Sequence, residues 1–321
     1  MRKHNTSTGA VIYPNDVSYA FSPMGVRVQD SSTSFTQLAV SIYGDDGQLY
    51  TLMRVSPYNG EAVIDLSGVA QAMFDVVDEQ VNYATTSVSG MAKHIRIELE
   101  YAGTSFSFTT MVVWGGVLPY SAKGKNPTAI YRAEDYPCAA TFILEQDEKA
   151  GSYTPSAYPA MVNMPIPADV NVVAVAGVDI PVKTIPPVCR NPYYLRWVDE
   201  GGRWCHYLFD GGKVQIKTKD YGESITGRPL LPEYTNDRYV ARRQQGKTIE
   251  TSLELYTTMA DSALRDYLSS LLASPLVDLY DRDNDGWIAV TVSAGTTNIS
   301  TMSYDDFAFT IDIPTVETQK L

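Results

Sequence analysis

Tyr193-Tyr194-Leu195-Arg196-Trp197-Val198 runs into Asp199-Glu200-Gly201-Gly202, and the chain returns as Arg203-Trp204-Cys205-His206-Tyr207-Leu208-Phe209. Two aromatic-rich runs around a four-residue turn with two glycines are the pattern of a β-hairpin. Strand alternation sends about half of these side chains to each face, so one aromatic face is expected in a core. Aromatic and β-branched residues stabilise a pleated surface with or without chemistry, and the signal is therefore structural.

Outward from this hairpin the chain reads as β in both directions. On the N-terminal side, Phe35 to Tyr43 and Gln48 to Val55 flank Gly44-Asp45-Asp46-Gly47, a turn whose Asp-Gly marks a hairpin. Glu61 to Ser67 reads as a strand leading into a short helix, with Leu66, Val69, Ala70 and Met73 on one face and Asp65 or Ser67 as N-cap. Ile95, Ile97, Leu99 and Tyr101 alternate with His94, Arg96, Glu98 and Glu100, so one face of that strand is buried and the other solvated. On the C-terminal side, Thr248 to Tyr256 and Phe307 to Ile313 alternate as strands. Between them Leu264, Tyr267, Leu268 and Leu271 recur at helical spacing before Pro275.

The stretch from Val117 to Pro192 is dense in proline, which excludes long helices and central strands. It is expected to be an extended arm with a few short strands, among them Ala139 to Leu144 and Val170 to Val175. The expected architecture is thus mainly β, in β-sandwich-like domains each flanked by one short helix. An N-terminal domain covers 1–116, the arm 117–192, and a C-terminal domain 193–321 with its helix at about 258–273.

Hydrophobic residues make up 44% of the chain and charged residues 19%, which places it among ordered globular proteins. Its 25 Lys and Arg against 37 Asp and Glu give a net charge of −12, so no nucleic-acid partner is expected. The locally basic run Lys213, Lys217, Lys219, Arg238, Arg242, Arg243 and Lys247 is interrupted by acids. Three widely spaced cysteines, Cys138, Cys189 and Cys205, match neither a disulfide framework nor a zinc site, and read as thiols kept in a reducing compartment. The first residues carry no apolar stretch of a secretory signal, and no run approaches the roughly 18 apolar residues of a membrane helix. Synthesis in a cytoplasm without a signal peptide, and no membrane partner, are the expectations.

Motifs for chemistry are sparse, and no enzyme is expected. Asp281-Arg282-Asp283-Asn284-Asp285-Gly286 has the Asp-x-Asp-x-Asp-Gly opening of a calcium loop, which makes Asp281, Asp283 and Asp285 candidate ligands for a weak calcium site. The twelfth position, where a bidentate carboxylate belongs, is Val292, and Asp, Asn and Gly also serve a plain hairpin turn. No other cofactor is expected. Cys205 and His206 are adjacent and so point to opposite faces of their strand, which is no nucleophile-base dyad. No Gly-x-Ser-x-Gly elbow or glycine-rich phosphate loop occurs. The aromatic hairpin is the better lead: Tyr193, Arg196, Trp204 and His206 are the candidate interface residues, since Tyr, Trp and Arg anchor protein interfaces. Surface aromatics also stack on sugars, so a carbohydrate-binding module or adhesin is the alternative. A carboxylate hydrolase is a further one, with no residues to assign.

The run Tyr194-Leu195-Arg196-Trp197-Val198-Asp199 with Gly202 and the returning Tyr207-Leu208-Phe209, together with Ala62-Val63-Ile64-Asp65-Leu66-Ser67 ahead of a short helix, resembles virion proteins of phages and prophages of gut bacteria. The C-terminal layout is similar to distal-tail-like proteins of phage tail tips and baseplates, in which β-sandwich domains with one flanking helix form rings at the end of a tail tube. The resemblance implies a non-enzymatic, ring-forming building block, made in the host cytoplasm and assembled into the virion with copies of itself and neighbouring particle proteins. Another virion position, such as a connector or capsid-associated protein, fits the same features. No catalytic residues come with the likeness.

Overall fold

A computed structural model describes residues 1–74, 80–117, 124–186, 192–225, 243–293 and 302–317. Cys189, Arg238 and Arg242 lie outside the described residues. The chain is mainly β, with two helices among the described residues, and divides into two compact units. The first comprises Met1–Pro186 together with Val198–Tyr207, the second Pro187–Trp197 and Leu208–Leu321.

The first unit begins with β1 (Arg2–Asn5), β2 (Gly9–Tyr13), β3 (Val17–Tyr19), β4 (Gly25–Asp30), β5 (Leu38–Tyr43), β6 (Leu49–Val55) and β7 (Glu61–Asp65). After α1 (Ser67–Ala72) come β8 (Ser87–Val88), β9 (Ala92–Tyr101) and β10 (Thr104–Val113). They form one sheet in the order β1-β2-β4-β7 and another in the order β3-β10-β9-β5-β6. The expected alternation holds, because Ile95, Ile97, Leu99 and Tyr101 are all buried and meet Val26, Val28, Val40 and Ile42 in one core. A two-residue turn joins β9 to β10, with positive φ at both Ala102 and Gly103, the twist that suits paired strands. At the start of α1 the cap position is Leu66, not Asp65 or Ser67; the Asp65 carboxylate instead accepts the Ser67 and Met24 amides at 3.0 and 3.1 Å.

The proline-rich segment departs from the expected arm. Residues 124–186 contain β11 (Ile130–Ala133), β12 (Ala139–Leu144), β13 (Ala160–Pro165), β14 (Val172–Val175) and β15 (Val178–Ile185). These make two three-stranded sheets, β11-β15-β14 and β12-β13-β8, over a core that includes Phe142, Leu144, Val162, Val173 and Ile180. The prolines are accommodated at positions where no ladder donor is needed. Pro165 closes β13, and Pro181 sits one residue before β15 begins to pair with β11 at Val182. A boundary at 116 therefore divides a compact unit.

A closed barrel in the order β16-β17-β18-β21-β20-β19, a finer architecture than alternation alone specifies, makes up most of the second unit, while Val198 and the first residues of β17, Trp204–Tyr207, count with the first. The strands of the barrel are β16 (Pro192–Val198), β17 (Trp204–Ile225), β18 (Arg243–Asp261), β19 (Val277–Asp281), β20 (Gly286–Val292) and β21 (Tyr304–Glu317). Phe307, Phe309 and Ile311 of β21 are buried with Leu253 and Leu255 of β18. Helix α2 (Ser262–Ala273) is started by Asp261, whose carboxylate accepts the Leu264 amide at 2.7 Å. It buries Leu268 and Leu271, and its Ser270 hydroxyl accepts the Trp197 indole N–H at 2.9 Å.

Candidate functional site

The central hairpin forms as expected from β16 and β17, but its side chains are used inside the chain. On β16, Arg196 stands opposite Asp278 of β19, and its Nε donates to Asp278 Oδ2 at 2.7 Å with both residues buried. The guanidinium lies 4.4 Å from the centre of the Trp287 ring, which in turn packs on Tyr280 and Tyr194. Register explains the grouping: Arg196 faces Asp278, Tyr280 faces Trp287, and alternation keeps them on one face. A buried pair of this kind adds little net stability when intact, yet leaves an uncompensated charge when one partner is removed.

Trp204 and His206 belong to the first unit. The Trp204 amide donates to Thr141 Oγ1 at 3.1 Å, and that hydroxyl donates to Asn163 Oδ1 at 2.7 Å. His206 is 1% exposed; its Nε2 lies 3.1 Å from the Tyr83 hydroxyl, with the two rings edge to face. Of the four candidate interface residues only Tyr193 is half-buried rather than buried. Arg196, Trp204 and His206 therefore offer almost no surface to a partner. An aromatic strand with internal partners on both faces looks the same in sequence as one with a free face.

The turn between the two strands, in sequence a plain four-residue hairpin turn, holds a dense polar constellation. Asp199 Oδ1 accepts the amides of Gly201 and Arg203 at 2.8 and 3.0 Å, while Oδ2 accepts Arg203 Nε and Nη2 at 2.9 and 2.7 Å. Arg203 Nη1 reaches the Gly124 carbonyl at 3.2 Å, and the Glu200 carbonyl accepts the Gly116 amide at 2.8 Å. Burial works against the Arg203 charge, but the Asp199 carboxylate beside it outweighs that and raises the guanidinium's affinity for its proton. Burial likewise pushes the nearby Tyr19 hydroxyl up. The spacing that reveals the site is Asp199-x-Gly-Gly-Arg203: an aspartate able to cap its own turn, followed by an arginine placed to close on it.

Asp281, Asp283 and Asp285 lie in the β19–β20 turn on the surface. Asp281 Oδ1 accepts the Asp283 amide at 3.1 Å, Oδ2 accepts Asn284 Nδ2 at 2.6 Å, and Asp285 Oδ1 accepts the Tyr280 hydroxyl at 2.5 Å. The Asn284 side chain and the turn amides hold the Asp281 carboxyl below the usual aspartate range. This is hairpin-turn geometry, with two of the three carboxylates engaged by the turn itself. Among the described residues no group of three or more His, Cys, Asp and Glu is gathered as a metal site. Cys138 and Cys205 are buried thiols. No helix among the described residues is long and apolar enough to cross a membrane.

A long exposed stretch lies further along the hairpin. β17 runs on from the barrel, paired with β18 as far as Ile225 and Arg243, and residues 212–223 are exposed throughout. Val214 and Ile216 are 57% and 66% exposed.

No known family matches the chain, and no curated protein matches it. Among solved structures, extracellular domains 3–5 of Drosophila OTK align over 75% of this chain and 90% of that one, at 8% identity and a TM-score of 0.21. A likeness that weak carries no argument about fold or function.

Proposed function

We propose that the chain is a non-enzymatic structural subunit of a phage tail or tail-like particle, placed at the tail tip or baseplate. It works by assembling with copies of itself and with neighbouring particle proteins. The observation that carries this reading is the long exposed outer part of β17, residues 212–223, since an exposed strand continuing beyond the buried part of its sheet is a feature of chains that complete their sheets with a neighbour. The likeness of the central hairpin and of Ala62–Ser67 to virion proteins supports the same role. In this reading the assembly contacts fall on exposed strand edges, because Arg196, Trp204 and His206 are consumed by the fold.

The carbohydrate-binding alternative draws on aromatics and on the calcium-like loop. Trp197, Trp204, Tyr207 and Phe209 lie in the interior, which leaves it the exposed aromatics elsewhere, such as Tyr58 and Tyr304.

The test is the mass of the purified chain by light scattering over a wide concentration range, with negative-stain imaging of the same samples. Closed rings or discrete cyclic oligomers are the expected outcome. A chain that stays monomeric throughout and fails to join a tail particle when mixed with the other tail proteins overturns the proposal.

A further inference from the structure

The two sheets around the Ile95–Tyr101 core end on four edge strands that are not guarded alike. β1 and β7 are the edges of one sheet, β3 and β6 those of the other. β1 presents Arg2, Lys3 and His4, β7 is bounded by Glu61 and Asp65, and β3 is three residues long. Charge and brevity both deter stray pairing. β6 has neither protection: Leu49-Tyr50-Thr51-Leu52-Met53-Arg54-Val55 is seven residues long and carries one charge. Leu49, Tyr50 and Leu52 are 54%, 47% and 46% exposed, three large apolar side chains open to solvent within four residues.

Hydrogen-bond alternation identifies the free backbone groups of this edge. The two-residue turn at Ala102-Gly103 makes Tyr101 and Thr104 a pair that exchanges both backbone bonds. From there Leu99 and Ile97 bond to β10, Glu100 and Glu98 to β5, and Leu38, Val40 and Ile42 of β5 to β6. Val55, Met53 and Thr51 are their partners, so Leu52 and Arg54 turn N–H and C=O away from the sheet. At the far side of the same sheet the Met111 amide donates outward to the Asp16 carbonyl at 2.8 Å, as this alternation requires. Among the described residues the outward groups of Leu52 and Arg54 meet no partner, and the Arg54 guanidinium has no ion pair.

The occupant that fits this edge is a second copy of it. Two β6 strands laid antiparallel about a two-fold axis at Leu52 set Leu52 against Leu52, Thr51 against Met53, and Arg54 against Tyr50. Leu52 then exchanges both backbone bonds with its twin. Arg54 is the only charge on the strand, so no like charges are opposed. It meets a tyrosine ring, a contact this sheet already makes where Arg96 lies 4.1 Å from the centre of the Tyr43 ring. A bulge at Tyr50 falls at each end of the shared ladder and leaves the pairs from Thr51 to Met53 regular.

We infer that the β6 edge is a copy-to-copy contact, in which two chains join their five-stranded sheets into one continuous sheet across a two-fold axis at Leu52. The inference rests on the reading of the chain as a subunit that assembles with itself, and adds to it the edge, the symmetry and the register.

The first test is Leu52→Cys under mild oxidation. The axis brings the two residues 52 within disulfide reach, so a covalent dimer on a non-reducing gel is expected. The parent, whose Cys138 and Cys205 are buried, and Val63→Cys, an exposed position on β7, are the controls and should cross-link far less. The second test is mass by light scattering up to roughly 100 µM, as suits a contact of this small size. The parent is expected to dimerise, and Leu52→Lys, which opposes two like charges at the axis, to weaken the dimer at least about tenfold. Tyr50→Ala should weaken it several-fold, and reads the same contact should Leu52→Lys fail to fold. Because both side chains are about half exposed, each variant should keep the parent's melting temperature. Cross-linking no faster at residue 52 than at residue 63, or a monomeric parent throughout, overturns the inference and leaves the particle role to its own mixing test. Rings that form equally well with Leu52→Lys overturn the edge while that role stands.

Discussion

Two turns of this chain share a vocabulary and have opposite fates. Asp199–Gly202 and Asp281–Gly286 both join neighbouring strands, both open on an aspartate that accepts amides of its own turn, and both end on glycine. The first is buried and closed by Arg203, whereas the second is exposed and closed by Asn284. The difference teaches that the aspartate's task is set by what sits a few residues on. A cation there converts a solvated turn into a neutralised one that can be buried. The motif with the more suggestive sequence, the calcium-like loop, is the one with the simpler structure.

The comparison breaks first at Asp199. Asp199→Ala leaves Arg203 buried without its carboxylate and is expected to cost about 3–5 kcal/mol in urea unfolding. Asp199→Ala with Arg203→Met should recover part of that loss, since it removes the stranded charge. A single-variant cost below about 1 kcal/mol would show the pair to behave like a surface contact. Gly202→Ala comes next. Gly202 has φ +73°, and a Cβ there would stand 2.6 Å from Val113 Cγ1 and 2.7 Å from the Trp114 carbonyl. A loss of at least about 1–3 kcal/mol is expected by the same measurement.

Smaller effects belong to the exposed turn. The Asp281 carboxyl is held below its ordinary pKa, so its contribution is present above the unfolded value of about 3.9 and fades as the pH falls through the folded one. The melting temperature of Asp281→Asn should therefore trail the parent slightly at neutral pH and converge on it in acid. A gap that widens in acid would contradict that assignment. Smallest of all is the response to calcium: because Asp281 and Asp285 already accept bonds within the turn, adding calcium or a chelator is expected to leave the melting curve unmoved. A calcium-dependent upward shift would show that the ion displaces those bonds and would restore the metal-site reading.

What the residues disclosed was whatever repeats along the chain. The alternation of Ile95 to Tyr101 and of Phe307 to Ile311, the apolar spacing that makes α2, and the central hairpin can all be read within ten or twelve residues, because a strand or helix reports its buried face locally. The partners of the site could not be read that way. Asp278 is 82 residues from Arg196, Thr141 is 63 from Trp204, and Tyr83 is 123 from His206. Only the fold brings them together. The outer part of β17 was missed for a different reason: it is exposed on both faces, so no burial pattern is imprinted on Lys213 to Glu223. The proline-rich segment misled because proline density was read as extension, when a strand end can absorb Pro165 and a position inside β15 that needs no ladder donor can absorb Pro181.

The chain leaves the first unit at Pro186, enters the second, and comes back for Val198–Tyr207 before leaving again. No single cut separates the two units. A fragment ending near residue 190 would lack the Asp199–Arg203 clasp, the Glu200 carbonyl that meets Gly116, and the His206 ring that meets Tyr83. During synthesis the first unit can therefore close only after its own last segment, Val198–Tyr207, has been made. Its last stitch is made only once the ribosome has committed to the first strand of the barrel, so vectorial, one-unit-at-a-time maturation is built out of this chain by its own threading.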